Sequence, residues 1–506
     1  MKMILKMAAL LALSPLLHAS VNTRPLPSAP LSNQLQITRD DIAAAADAWR
    51  NHDTDATYEA LQEAINSAGF AQLDKKLQYS ALSTAASIAQ KNGKYDAAHG
   101  LLIWASDYSL ADGETWLDRL EAASASKDDL DSALCVTTIA RRWPESLGRV
   151  NYVAIFELWR RLVSAGASTP ARQDLLQALF DAHWTTPEGP PDVLWRDLAA
   201  ILLNGNHVKQ ATHVALRIQT ARDVLLMRID KRFDRITRKN PQAFDVNRVA
   251  AAQVTRDREA AAASPDELMP VTTLQTSLMD TCQFQQVLTL TDDILAKSHG
   301  VQGSSSYKDF NDRYIWVLDQ RARALVALGR WNEAIEQWQL ATRHPEYGGM
   351  NVSQIVNLGN FYAETGRPHE ALDLITELGN TTVFARMQLE WVYLVVAVQQ
   401  KDTPAIASHM AYLQAHRTDD IVTWQAALLL TEDLDDAADL LIERLGNVQW
   451  RTEALADMQQ YADVRTTPIE SELKQRWQTV IARSQVQAAL SHVGRIEHFN
   501  LSPAQR

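Results

Sequence analysis

Residues 329–346 read Gly329-Arg330-Trp331-Asn332-Glu333-Ala334, then Ala341-Thr342-Arg343-His344-Pro345-Glu346. Residues 133–145 repeat the scheme with Ala133, then Ala140-Arg141-Arg142-Trp143-Pro144-Glu145. In both, two alanines stand seven apart and a Pro-Glu pair begins four residues after the second. Seven residues is almost two helical turns, so both alanines fall on one helix face, where their small side chains let a neighbouring helix come close. The proline stops the helix. A helix-helix unit that recurs at distant places predicts a helical-repeat chain.

Further copies extend the pattern. Gly93-Lys94-Tyr95-Asp96-Ala97-Ala98 leads to Ala105, and Gly366-Arg367-Pro368-His369-Glu370-Ala371 follows Leu358-Gly359-Asn360-Phe361-Tyr362. Glycine stands five residues before the alanine at Gly93/Ala98, Gly329/Ala334 and Gly366/Ala371. A glycine takes a positive φ without strain, which lets the chain reverse from one helix into the next. The key alanines fall at 98, 133, 334, 371, 405 and 438, with neighbouring spacings of 35, 37, 34 and 33.

On these residues the chain resembles the tetratricopeptide family, a helix-turn-helix repeat of 34 residues. Residues 352–380 carry the resemblance through Leu358, Gly359, Tyr362, Gly366 and Ala371; residues 315–345 carry it through Gly329, Ala334, Trp338, Ala341 and Pro345. Arg321-Ala322 replaces Leu-Gly in the second of these. The resemblance is looser over 79–145 and faint over 146–310. It implies an all-α fold, an α-solenoid of helix-turn-helix repeats. It also implies that the first helix of each pair lines an inner face that binds peptide segments. Projected onto that face are Trp316, Asp319 and Arg323, then Ser353, Asn360 and Glu364, then Glu390. The family's carboxylate clamp uses Lys and Asn one turn apart. Here Asp319/Arg323 and Val356/Asn360 stand instead, so that specificity is not implied.

The chain has 506 residues, 46 % hydrophobic, with 18 glycines and a net charge of −12. A solenoid accommodates that length because each repeat packs only on its neighbours. The acidity argues against general nucleic-acid binding. Lys2 and Lys6, the apolar run Met7–Leu17 and His18-Ala19-Ser20 form a secretory signal pattern, predicting removal of residues 1–20 and a periplasmic or secreted protein. The run is too short to span a bilayer, and no later stretch has 18 unbroken apolar residues, so no transmembrane segment is expected after cleavage. Residues 21–37 read as an extended linker, 38–297 as degenerate repeats, 298–308 as a flexible loop between two halves, and 309–466 as the clearer repeats. Residues 467–506 read as a capping helix and tail, opened by the capping box Thr467-Pro468-Ile469-Glu470. Cys135 and Cys282, 147 residues apart, are expected as buried free thiols.

Arg228, Lys231, Arg232, Arg235 and Arg238 predict a basic stripe on one helix, 221–239, with Leu225, Ile229, Phe233 and Ile236 beside it. Such a stripe suits an acidic polymer or a membrane surface, although Asp234 and Arg238 make an internal i,i+4 pair. Trp104, Trp143, Trp331 and Trp338 are expected in the core. No motif for catalysis, cofactor or metal is present: His369-Glu370 has no following histidine at ligand spacing. The chain is therefore expected to be an exported scaffold that binds another protein, in a bacterial envelope assembly or polymer-export system. The competing expectation is a polysaccharide lyase or glycoside hydrolase of the α/α-toroid type.

Overall fold

The computed structural model describes residues 30–166, 169–298, 307–346, 348–376, 378 and 382–503. The expected signal peptide, most of the expected linker before Pro30 and residues 299–306 of the expected loop lie outside them. Among the described residues every regular element is a helix. The chain forms two compact units, one up to Thr186 and one from Pro187. The division falls in the proline-rich loop 185–191, not at 298–308, where α14 packs on α16 across the stretch.

The first unit pairs α1 (Pro30–Arg50) with α2 (Thr54–Asn66), α3 (Lys75–Lys91) with α4 (Tyr95–Ser106), α5 (Gly113–Ala125) with α6 (Asp129–Arg142), and α7 (Tyr152–Ser164) with α8 (Thr169–Asp181). The expected extended stretch up to residue 37 is corrected over its last eight residues, which open α1. Pro30 heads that helix, where a missing N–H has no partner to lose.

The second unit begins with α9 (Asp192–Asn204) and α10 (Val208–Ala215), then α11 (Ala221–Ile229), the short α12 (Asp234–Thr237) and α13 (Val246–Ala263). Five regular pairs follow: α14 (Met269–Asp280) with α15 (Phe284–Ser298), α16 (Phe310–Ala327) with α17 (Trp331–Ala341), α18 (Val352–Glu364) with α19 (Pro368–Ile375), α20 (Val383–Gln400) with α21 (Thr403–Ala415), and α22 (Ile421–Leu430) with α23 (Leu434–Gly446). The chain ends in α24 (Arg451–Asp457), α25 (Pro468–Ile481) and α26 (Ser484–Val493).

The alanine stripe is the seam of the repeats. Ala98, Ala334, Ala371 and Ala438 are 0 % exposed and Ala133 1 %. Ala405 is only half-buried, and Leu413 is the one buried residue of α21. Gly359 shows why a helix interior tolerates glycine here. A Cβ at that position would stand 2.7 Å from Ile375 Cγ2, so α18 and α19 could not approach as they do. At the tight turns within pairs, Gly93, Gly329 and Gly366 have φ of 70°, 76° and 76°. Lys127, Asn206, Cys282, Lys401 and Glu432 occupy the same slot with φ between 56° and 64°.

The expectations for four side chains, Cys282, Trp104, Trp143 and Trp331, change. Cys135 is a buried free thiol as read, but Cys282 is free and only half-buried because it sits in the exposed turn after α14. Trp104 is 42 % exposed, packed edge-on against Phe70 with centroids 5.3 Å apart, and Trp143 is half-buried under the Arg142 guanidinium. Trp338 is buried and Trp331 half-buried, both against Phe361.

Candidate functional site

The inner residues of the second unit belong to a polar network joining successive helices. Asp319, 3 % exposed on α16, accepts from Arg323 Nε at 2.7 Å, Trp338 Nε1 at 2.9 Å and Asn357 Nδ2 at 3.0 Å. One acid thus ties α16, α17 and α18 together. Glu390, 3 % exposed on α20, is the counterpart two repeats on: it accepts from Arg386, and His409 Nδ1 on α21 lies 2.6 Å from its other oxygen. Burial works against its charge, but His409 and Arg386 outweigh that and hold the carboxyl below the usual glutamate range. Between them, Asn360 accepts from Trp391 Nε1 at 2.9 Å and donates to Glu364 Oε1 at 3.1 Å.

The residues projected onto the inner face are therefore not equivalent. Asp319, Glu364 and Glu390 are buried and bonded within the protein, a correction to their expected role as surface groups awaiting a ligand. Their acceptor capacity is used to register one repeat on the next. Ser353 closes the loop before α18, donating to Glu346 Oε1 at 2.7 Å. Trp316, half-buried on the N-terminal half of α16, and Arg323, half-buried one helix turn beyond Asp319, keep accessible surface.

A feature the sequence reading did not anticipate lies at the other end of these helices. The chain after α24 runs back over the C-terminal ends of the first helices. Arg495 N donates to Ile229 O at the end of α11 (3.0 Å), and Ser502 N donates to Asp280 O at the end of α14 (2.8 Å). Arg465 lies against Gly329, just past α16, where a Cβ would meet its guanidinium. Thr467 Oγ1 donates to Glu364 Oε2 at the end of α18 (3.2 Å). Arg476 donates to the carbonyls of Leu429 and Leu430 at the end of α22, at 3.1 and 3.0 Å. These ends come from residues some 200 apart, so one segment reaches them all only if the first helices face a common inner side. Helix α24 packs on α11 and completes the closure. The expected end cap is thus a strap across the second unit. Phe499 and Leu501 are buried in it, at 4 % and 1 % exposure.

Two residues of the basic stripe, Arg228 and Lys231, take part in the same closure. Asp230 is extended and bridges to Gly494, so residues 221–239 form α11, a 3-10 turn and α12 rather than one helix. Arg228 pairs with Glu497 at 2.6 Å, Lys231 donates to the Ser491 carbonyl, and Arg232 pairs with Asp230 at 2.6 Å. Arg235 donates to Asn206 at 3.0 Å, and Arg238 pairs with Asp234 at 3.0 Å, the i,i+4 pair read from the sequence. Each of these basic side chains thus has a partner within the chain, while Lys231, Arg235 and Arg238 remain exposed.

In the first unit, His99 Nε2 stands 2.8 Å from Asp131 Oδ2, Arg119 Nε donates to the same oxygen at 2.8 Å, and Arg119 Nη1 donates to Ser106 at 2.6 Å. Cys135 lies 3.7 Å from Asp131, and burial followed by that charge pushes its thiol well up. A thiol so held is no nucleophile, and the cluster binds α4, α5 and α6 together. Among the described residues no group of three or more His, Cys, Asp or Glu is placed to hold a metal. No described helix is long and apolar enough to cross a membrane.

The chain is an α-solenoid of tetratricopeptide-like repeats. No protein-family model matches it, and no curated protein does. Among solved structures it is similar to the APC/C hetero-tetramer Cut9–Hcn1, at 9 % identity over 92 % of this chain and 99 % of that one, with a TM-score of 0.27. It is also similar to Naa15/Naa10 bound to HypK-THB, at 10 % identity over 97 % and 90 %, with a TM-score of 0.23. Superpositions this loose leave the repeat assignment resting on the helices, alanines and turns described above.

Proposed function

We propose that this chain is a scaffold that binds a segment of another protein along the inner face of its second unit, in an exported, envelope-side setting. The observation that carries the reading is that this face already holds a length of polypeptide. Tyr461–Thr467 runs along its edge without regular secondary structure, held by side-chain contacts at Gly329 and Glu364, at the C-terminal ends of α16 and α18. The strap covers the C-terminal ends of the first helices. The N-terminal halves, with Trp316, Ser353 and Arg386, are the part left for a partner. Trp316 serves as the apolar anchor, and the expected role of Arg323 in orienting a carbonyl or acidic side chain falls at the edge of this surface, next to the strap. Successive repeats add their groups into one elongated surface, which suits an extended ligand. The export setting is supported by the N-terminal pattern of Lys2, Lys6 and the run Met7–Leu17.

Affinity capture from an envelope extract, comparing the wild type with Trp316→Ala, tests this. The reading expects the partner to be lost from the variant while helical content and melting temperature stay as in the wild type. Retained capture, or an unfolded variant, places Trp316 outside the site.

A further inference from the structure

The strap meets the repeats at one point where two carboxylates approach each other. Glu364, buried at the end of α18, takes hydrogen bonds from Asn360 on its own helix and from Thr467 Oγ1. Thr467 is the N-cap of α25, and its backbone N–H is held by Glu470 Oε2 at 2.8 Å in a capping box. Glu470 is therefore fixed beside Glu364 by the helix start itself. From α16 the facing charge is Arg323, but its Nε is committed to Asp319 at 2.7 Å. From α20 the neighbour is the uncharged Gln399, which donates to Ala363 O at 2.6 Å. Arg367, just beyond α18, pairs with Glu370 at 2.9 Å and lies over the Tyr362 ring.

We propose that Glu364 is the latch of the strap: while its carboxyl is neutral, Tyr461–Thr467 stays seated across the first helices, and its ionisation lifts that segment. Burial, and then the charge of Glu470, push the Glu364 carboxyl up to about 8. In the lifted state it meets water and returns toward the ordinary glutamate value of roughly 4.3. The seated state thus keeps a proton that the lifted state gives to solvent. Seating is firmest in acid, weakens as pH climbs through neutral, and levels off once the seated carboxyl has also ionised. The latch stands on these contacts and not on the partner reading. If both hold, lifting is what frees Asn360 and Glu364 to a partner segment.

The Arg465–Thr466 bond lies in the exposed part of the strap and gives a direct readout in the full chain. Its cleavage by trypsin is followed from pH 6 to pH 8 in the wild type and in Glu364→Gln, and the ratio of the two rates removes the protease's own pH dependence. That ratio is expected to rise with pH, by up to about tenfold per unit. A constant ratio across the range overturns the proposal. Circular dichroism shows whether Glu364→Gln folds. If it does not, Glu470→Gln takes its place, since glutamine serves in a capping box. Removing the Glu470 charge should then make the wild-type rise shallower, and an unchanged slope overturns the latch equally.

Discussion

Ala334 and Asp319 show two ways in which single residues hold this solenoid together. Ala334 has no exposed surface at a helix-helix seam, so Ala334→Leu should overpack it and cost about 1–3 kcal/mol, read as a lowered melting temperature. An unchanged melting temperature would show that the seam is open. Asp319 accepts from three donors on three helices. Asp319→Ala leaves the Trp338 and Asn357 N–H groups without this acceptor and should cost roughly 2–4 kcal/mol in denaturant unfolding. A loss below about 1 kcal/mol would mean that water replaces the carboxylate. The alanines were legible because a small residue at a fixed spacing leaves a mark in sequence. The acids were located but misread, because a first-helix polar residue is equally consistent with solvent or with an internal donor. A signal was available: Asp319/Trp338 and Glu390/His409 are both 19 residues apart, pairing an acid of a first helix with a ring N–H donor of the second.

Helix pairs were legible wherever the turn between them carries a glycine. Gly93, Gly329 and Gly366 advertise a left-handed residue. Lys127, Asn206, Cys282, Lys401 and Glu432 adopt the same conformation with no such mark, and two of them, Asn206 and Cys282, fall in the stretch 146–310 where the repeats faded from view. These side chains hold a strained backbone for the sake of the turn. Lys401→Gly is therefore expected to stabilise the chain by up to about 1 kcal/mol, the relief of strain exceeding the entropy lost with glycine. A melting temperature below that of the wild type would show that Lys401 contributes contacts worth more than its strain. The interruption of the expected helix 221–239 has a different cause. Locally the sequence favours helix, but Asp230 is drawn into a bridge with Gly494, a partner no periodicity could reveal.

At the scale of the second unit, the decisive contacts join residues far apart in the chain. Arg222 donates to Asp280 Oδ1 at 2.6 Å and to Ser502 O at 2.7 Å, so one guanidinium fastens α11, α14 and the tail. Arg228 and Glu497 stand 269 residues apart. A sequence reads as open-ended where the molecule closes on itself, because closure is set by the accumulated rotation of the repeats. The account's central claim is that the tail is an integral strap on the first helices, and amide hydrogen exchange tests it most directly. The N–H groups of Arg495, Phe499 and Ser502 donate to Ile229, Gln460 and Asp280. They are predicted to exchange as slowly as the amides of α16 and α18. Exchange of those three at the rate of an unstructured chain, while α16 and α18 stay protected, would contradict it.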